Sequence, residues 1–234
     1  MPTNRADTAE QSQPGSGRTV ADAIREAIST GEFAPNQRLV EADLSDQFGA
    51  SRASVRIALI ELASEGLVER IQNRGARVRA VSLEEAIAIT EVRMVVEGLC
   101  AAKAAERATV EDCSLLREIG VRMQTAVWAG DLLGYSDLNN QLHSAIRTIS
   151  GQRTAEMVLN RLRSQNVRHR FRLAMHPGRA SVSLPQHLAI IDAICNHNIE
   201  AAEKAIRLHL GSVIEALPEV DGIRPRGFGA AELR

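Results

Sequence analysis

Two groups of residues in this chain have types and spacings suited to chemistry. In the first, Ser51-Arg52-Ala53-Ser54-Val55-Arg56, a capping hydroxyl, two guanidinium groups and two small side chains sit on the opening turns of a predicted helix. A guanidinium can grip phosphate or guanine bidentately, and small neighbours let the helix end press into a groove. The second group is dispersed. Asn139 and His143 are four residues apart, so they lie one above the other on a helix face. His187 is followed by Leu188, Ile190 and Ile191, and His209 is set among Ile206, Leu208 and Leu210, so each ring can turn into an apolar interior. Three neutral imidazoles converging in a helical core suit Zn, Ni or a similar divalent ion. Taken singly, each histidine also reads as a residue satisfied by one hydrogen bond.

The elements that must position the first group run over residues 18–81. Val20, Ala23, Ile24, Ala27 and Ile28 form the stripe of a first helix, which stops at Thr30-Gly31. Phe33-Ala34-Pro35-Asn36 reads as a turn, and Leu39 and Val40 lead into a short helix over residues 41–48 closed by Gly49. Ser51 caps the third helix and Gly66 ends it. Residues 67–71 then read as a strand, Asn73-Arg74-Gly75 as a turn and residues 76–80 as the returning strand. Helix, short helix, capped helix and hairpin make a winged helix-turn-helix, a module whose third helix enters DNA. The charge of the whole chain is only -1, but its distribution is uneven. Arg52, Arg56, Arg70, Arg74, Arg77 and Arg79 oppose Glu61, Glu65 and Glu69 in this stretch, while the segment up to Ser150 is acidic. A local basic face on a balanced protein is the expected footprint of a nucleic-acid binder.

The second group is positioned by helices. Ser82 and Glu85 form a capping box that opens a helix to about residue 107, and Thr109 caps another that stops near Gly130. Further helices are expected over 132–149, 153–174, 184–196 and 199–217, giving six in an antiparallel bundle. The fold class is therefore mainly α: an N-terminal winged helix-turn-helix followed by an all-helical bundle over residues 82–217. Residues 1–17 and 218–234 read as a disordered arm and a flexible tail. Cys100, Cys113 and Cys195 are odd in number and widely spaced, which argues against a disulfide framework and fits a reduced cytoplasm. No apolar run approaches the roughly 20 residues of a membrane span. The basic run Arg161, Arg163, Arg168, Arg170 and Arg172 has several open readings: pairing with acidic helices, lining a dimer surface, contributing to a ligand pocket, or forming a second nucleic-acid surface.

Leu39-Val40-Glu41-Ala42-Asp43-Leu44-Ser45, Ser51 through Leu59, Glu65-Gly66-Leu67-Val68 and Asn73-Arg74-Gly75-Ala76-Arg77-Val78 resemble the DNA-binding domain of GntR-type bacterial regulators. This chain has Ser54 where that pattern has Pro, Ile57 where it has Glu, and Ala42 where some relatives carry a further DNA-contacting Arg. The resemblance implies that Ser51, Arg52, Ala53, Ser54 and Arg56 enter the major groove of a double-stranded operator, with Arg74-Gly75 of the wing approaching the minor groove or backbone. Arg93 with Glu97, Asn139 through His143, Gln186 through Ile194 and Arg207 through Leu210 resemble the FCD effector domain of the FadR branch. Six bundle helices resemble its VanR-type subgroup. That likeness implies a divalent metal held by one acid and three histidines, here Asn139, His143, His187 and His209, with a small organic acid completing the shell and Arg93 as the carboxylate partner. Asn139 replaces the usual Asp, so the metal would be held more weakly and its charge left for an anionic effector. Arg93 reads equally as an ion-pair partner of Glu97. The function implied is a homodimeric repressor of cytoplasmic location that responds to a carboxylate, or alternatively to the metal itself, and is not an enzyme: no general base stands beside Asn139 and His143.

Overall fold

A computed structural model describes residues 19–71 and 75–220. The arm over residues 1–17, the wing-tip residue Arg74 and the tail beyond residue 220 lie outside the described residues. The N-terminal unit comprises α1 (Val20–Thr30), β1 (Arg38–Leu39), α2 (Glu41–Phe48), α3 (Arg52–Glu65), β2 (Val68–Ile71) and β3 (Gly75–Val78). Thr19 and Asp22 cap α1 reciprocally, and the Ser51 hydroxyl accepts from the Ser54 backbone N–H at 3.1 Å to open α3. The three helices close over Ile24, Leu44, Val55 and Leu62.

Residues 38–39 form a strand instead of only a lead-in to α2. Arg38 and Leu39 pair antiparallel with Arg77 and Ala76, so the hairpin becomes a three-stranded sheet in the order β1-β3-β2. Two residues carry no readable period, and only pairing with β3 makes them a strand. Gly75 is explained by the same contact: it has φ +87°, and a Cβ there would stand 2.5 Å from the Leu39 carbonyl oxygen.

The second unit contains α4 (Leu83–Arg107), α5 (Val110–Ala129), α6 (Leu132–Ser150), α7 (Arg153–Gln165), α8 (Val167–Ala174), α9 (Arg179–Cys195) and α10 (Ile199–Val220). Its core gathers Leu116, Met123, Leu142, Leu159, Ile190, Ile194 and Ile206. Among the described residues this makes seven helices, one more than the periodicity predicts. The helix expected over 153–174 breaks at Asn166, whose buried amide donates to the Ala86 carbonyl and the Thr90 hydroxyl of α4 at 3.4 and 3.3 Å. Helix α9 also starts earlier than expected and runs through Pro185, because Arg179 at its start is anchored on the Ser212 hydroxyl at 2.8 Å. Helix α10 continues through Pro218 to Val220, three residues into the expected tail, because Leu217 and Val220 are buried. Tertiary packing outweighs the local cost of proline at both places.

Candidate effector cavity and nucleic-acid interface

Three helices bring the histidines together. His143 of α6, His187 of α9 and His209 of α10 are all buried, and one ring nitrogen from each lies within 4.8 Å of the others. The Nδ1 atom of every ring is already engaged: His143 with Glu97 Oε2 at 2.7 Å, His187 with the Tyr135 hydroxyl at 2.9 Å and His209 with Gln186 Oε1 at 3.0 Å. The Nε2 atoms are thus the nitrogens left for a ligand, and His187 Nε2 is buried without a hydrogen-bond partner. Asn139 Oδ1 is likewise buried and unpartnered, and opens on the same cavity. Burial holds the imidazoles neutral, pushing His187 and His209 well below the ordinary histidine range and lowering His143 against the pull of Glu97. Three imidazole nitrogens with oriented Nδ1 atoms, plus an orphaned amide oxygen, fit a divalent transition metal.

The cavity, about 630 Å³, also faces Arg93, Arg163, Arg170, Arg179 and Asn140. Arg93 is spent on Glu97, at 2.9 and 2.8 Å, with both groups buried. Burial alone would raise the Glu97 carboxyl, but Arg93, His143 and Arg163 together hold it well below the usual carboxylate range. Arg163 and Arg170 converge from α7 and α8 on the Asn140 side-chain oxygen, Arg163 at 3.1 Å. Burial lowers both guanidiniums, Arg170 to about 10. Arg163 also stands 3.8 Å from Glu97, which Arg93 already neutralises, and the half-buried Arg170 shares the neutral Asn140 oxygen with it, so this wall carries more positive than negative charge. In the sequence these two were indistinguishable from Arg161 and Arg172 of the same basic run, and only the break at Asn166 sets their direction. Tyr135 and Gln186, which orient imidazoles, gave no separate signal.

The other set lies in the N-terminal unit. Ser51, Arg52, Ala53, Ser54 and Arg56 are exposed on the leading turns of α3, whose first turn contains no acid. Arg56 holds Glu41 of α2 at 2.8 Å. A polar groove of about 450 Å³ between α2, α3 and the sheet adds Arg38 and Arg70 beside Gly75. Arg38 had no motif to mark it, and enters the groove because β1 pairs with β3.

Residues 16–78 match the model of the bacterial regulatory proteins, gntR family, and residues 88–212 match that of the FCD domain. The chain belongs to the GntR family of bacterial transcription regulators. Like its relatives, this GntR regulator is a DNA-binding protein and not an enzyme. It is 27% identical to the HTH-type transcriptional repressor RspR of Escherichia coli over 188 residues, covering 80% of this chain and 82% of that one. It is 30% identical over 209 residues to an HTH-type transcriptional regulator from an unstable DNA locus of Streptomyces ambofaciens, covering 88% and 86% of the two chains. The fold matches E. coli McbR/YncC with a TM-score of 0.76 at 22% identity, over 86% of this chain and 95% of that one. Among the described residues no helix is long and apolar enough to cross a membrane.

Proposed function

We propose that this GntR regulator is a homodimeric repressor that reads a pseudo-palindromic operator and is released by a small carboxylate bound beside a divalent metal. Residues 18–81 form the DNA-binding domain and 82–220 the effector and dimerisation domain. Ser51, Arg52, Ala53, Ser54 and Arg56 enter the major groove, and Arg74-Gly75 of the wing approaches the backbone or minor groove. The relative RspR is a transcriptional repressor, and a two-fold operator follows from two copies of α3.

The observation that carries the effector reading is the convergence of three histidines with their Nδ1 atoms already bonded. Asn139, His143, His187 and His209 would hold the ion, which supplies a Lewis-acidic anchor for a carboxylate. All four are neutral, so the positive charge of the ion is left for the effector to balance. Arg93 faces the cavity with its charge opposed by Glu97, so Arg163 and Arg170 are assigned the far end of the anion.

The test is elemental mass spectrometry of the wild-type protein beside His187→Ala, followed by operator anisotropy with Zn²⁺ and with Zn²⁺ plus a panel of small carboxylates. About one transition metal per chain, lost in the variant, with operator release only when a carboxylate is added, is the expected result. Release by Zn²⁺ alone would make the ion itself the signal. No metal in either protein after soaking would sink the site.

A further inference from the structure

We infer that Ile57 reads a base, its side chain resting on a thymine methyl in each operator half-site. The inference rests on α3 being the helix that enters the major groove. Val55, Ala58, Leu59 and Leu62 are buried and fix the inward face of α3. At roughly 100° per residue, Ala53, Ile57 and Ile60 fall on the line opposite that face, with the exposed Ser64 beyond them at its C-terminal end. Arg52 and Arg56 lie along one flank of this line, and Ser54 and Glu61 along the other. Ile57 is 67% exposed and Ile60 48% exposed. The face pointing away from the protein is thus apolar along its middle, where a solvated helix would carry polar groups.

What covers it follows from the charge around it. The first turn has no acid, the helix N-terminus is the positive end of its dipole, and Arg52 and Arg56 are exposed beside the apolar line. Glu61 lies on the far flank, 3.3 Å from an Arg25 that it shares with Asp22 and Glu65, and Glu41 is paired with Arg56 at 2.8 Å. An apolar protein partner would strip water from Arg52 and from the Arg56–Glu41 pair without returning a charge, whereas DNA supplies phosphates on both sides of the groove. Within that groove only a T·A pair offers a methyl group. The other edges offer donors and acceptors that an aliphatic side chain would desolvate and leave unpaired. Ile57, one helical turn beyond Ala53, is therefore a specificity residue for thymine.

The test begins with selection from a random duplex library by the full-length wild-type protein and by Ile57→Ala. The selected wild-type duplex is then resynthesised with each thymine replaced in turn by uracil, which deletes only the C5 methyl. The expected result is one thymine per half-site whose replacement weakens wild-type binding about fourfold, the value of one buried methyl. The same replacement would leave Ile57→Ala binding unchanged, and the variant selection would lose its preference at that position alone. Because the methyl is removed from the DNA, misfolding cannot imitate this result. An enriched site at which uracil costs nothing, or an Ile57→Ala protein with the same thymine preference, overturns the inference while leaving DNA reading by α3 intact. Loss of the dimer in Ile57→Ala would assign the residue to contact between copies and overturn it as well. A wild-type selection that enriches no sequence would remove the reading of α3 itself.

Discussion

At the scale of single residues, the candidate effector cavity is defined by which charges are compensated. Arg93 and Glu97 are each about 3% exposed and hold one another in a low-dielectric site, so their pairing is asymmetric in its consequences. Arg93→Met leaves a buried carboxylate short of its main cation and is expected to lower unfolding stability by about 3–5 kcal/mol in urea denaturation. Arg163→Met, whose guanidinium shares Asn140 with Arg170 and stands farther from Glu97, at 3.8 Å, is expected to cost less stability than Arg93→Met and to abolish the carboxylate response. The histidines give a pH dependence of definite sign. Their folded values lie below the ordinary 6.5 because burial penalises the charged form. The unfolded chain therefore binds protons that the native chain refuses, so their contribution is complete above about pH 6.5 and is lost as pH falls below it. The urea midpoint of metal-free protein is expected to drop between pH 7 and pH 5, with a shallower drop in His209→Phe. At the DNA end, Arg52→Ala and Arg56→Ala are expected to weaken operator binding while the circular dichroism spectrum stays native. A variant that binds as tightly as wild type in fluorescence anisotropy would remove that residue from the interface.

Among the elements, the junction of α7 and α8 stands out for what lies on its two sides. Arg163 and Arg170 face the effector cavity. Gln165 instead lies against Gly66 at the end of α3, where a Cβ would stand 2.7 Å from Gln165 Nε2, and Val167 packs on the core of the winged helix unit. The break at Asn166 lets one short stretch point in both directions. Gly66 also has φ +78° as the C-cap of α3, so Gly66→Ala combines left-handed strain with a clash. A destabilisation of about 1–2 kcal/mol is expected by thermal or urea unfolding. Gln165→Ala is expected to recover only the part due to the clash, since the backbone strain remains.

For the whole molecule, the proposed regulation requires that the carboxylate distinguish two arrangements of the DNA-binding units, a difference typically worth about 1–3 kcal/mol. The contacts of α7 and α8 with the N-terminal unit give such a difference a physical route, from Arg163 and Arg170 through Gln165 and Val167 to the end of α3. A Gln165→Ala, Val167→Ala double variant is expected to bind operator within about twofold of wild type but to lose most of its release by Zn²⁺ plus carboxylate, since it removes two contacts that join α7 and α8 to the N-terminal unit. Full retention of the response in a titration would exclude this route.

Much of this organisation is written locally. The caps at Ser51, Ser82 and Thr109, the glycine stops at Gly31, Gly49 and Gly66 and the apolar stripes are encoded by nearest neighbours, so α1, α2, α3, α4 and α5 were legible in the sequence. The basic helix end and the four inward-facing polar residues were legible for the same reason, since residue type and helical spacing are local properties. The rest depended on contacts between distant segments. Strand β1 exists only through β3, the break at Asn166 only through α4, and the course of α9 and α10 through two prolines only because their faces are buried. The pairing of Arg93 with Glu97 and the convergence of Arg163 and Arg170 were decided by burial, because a charge shielded from water must find its counter-charge wherever packing has placed it.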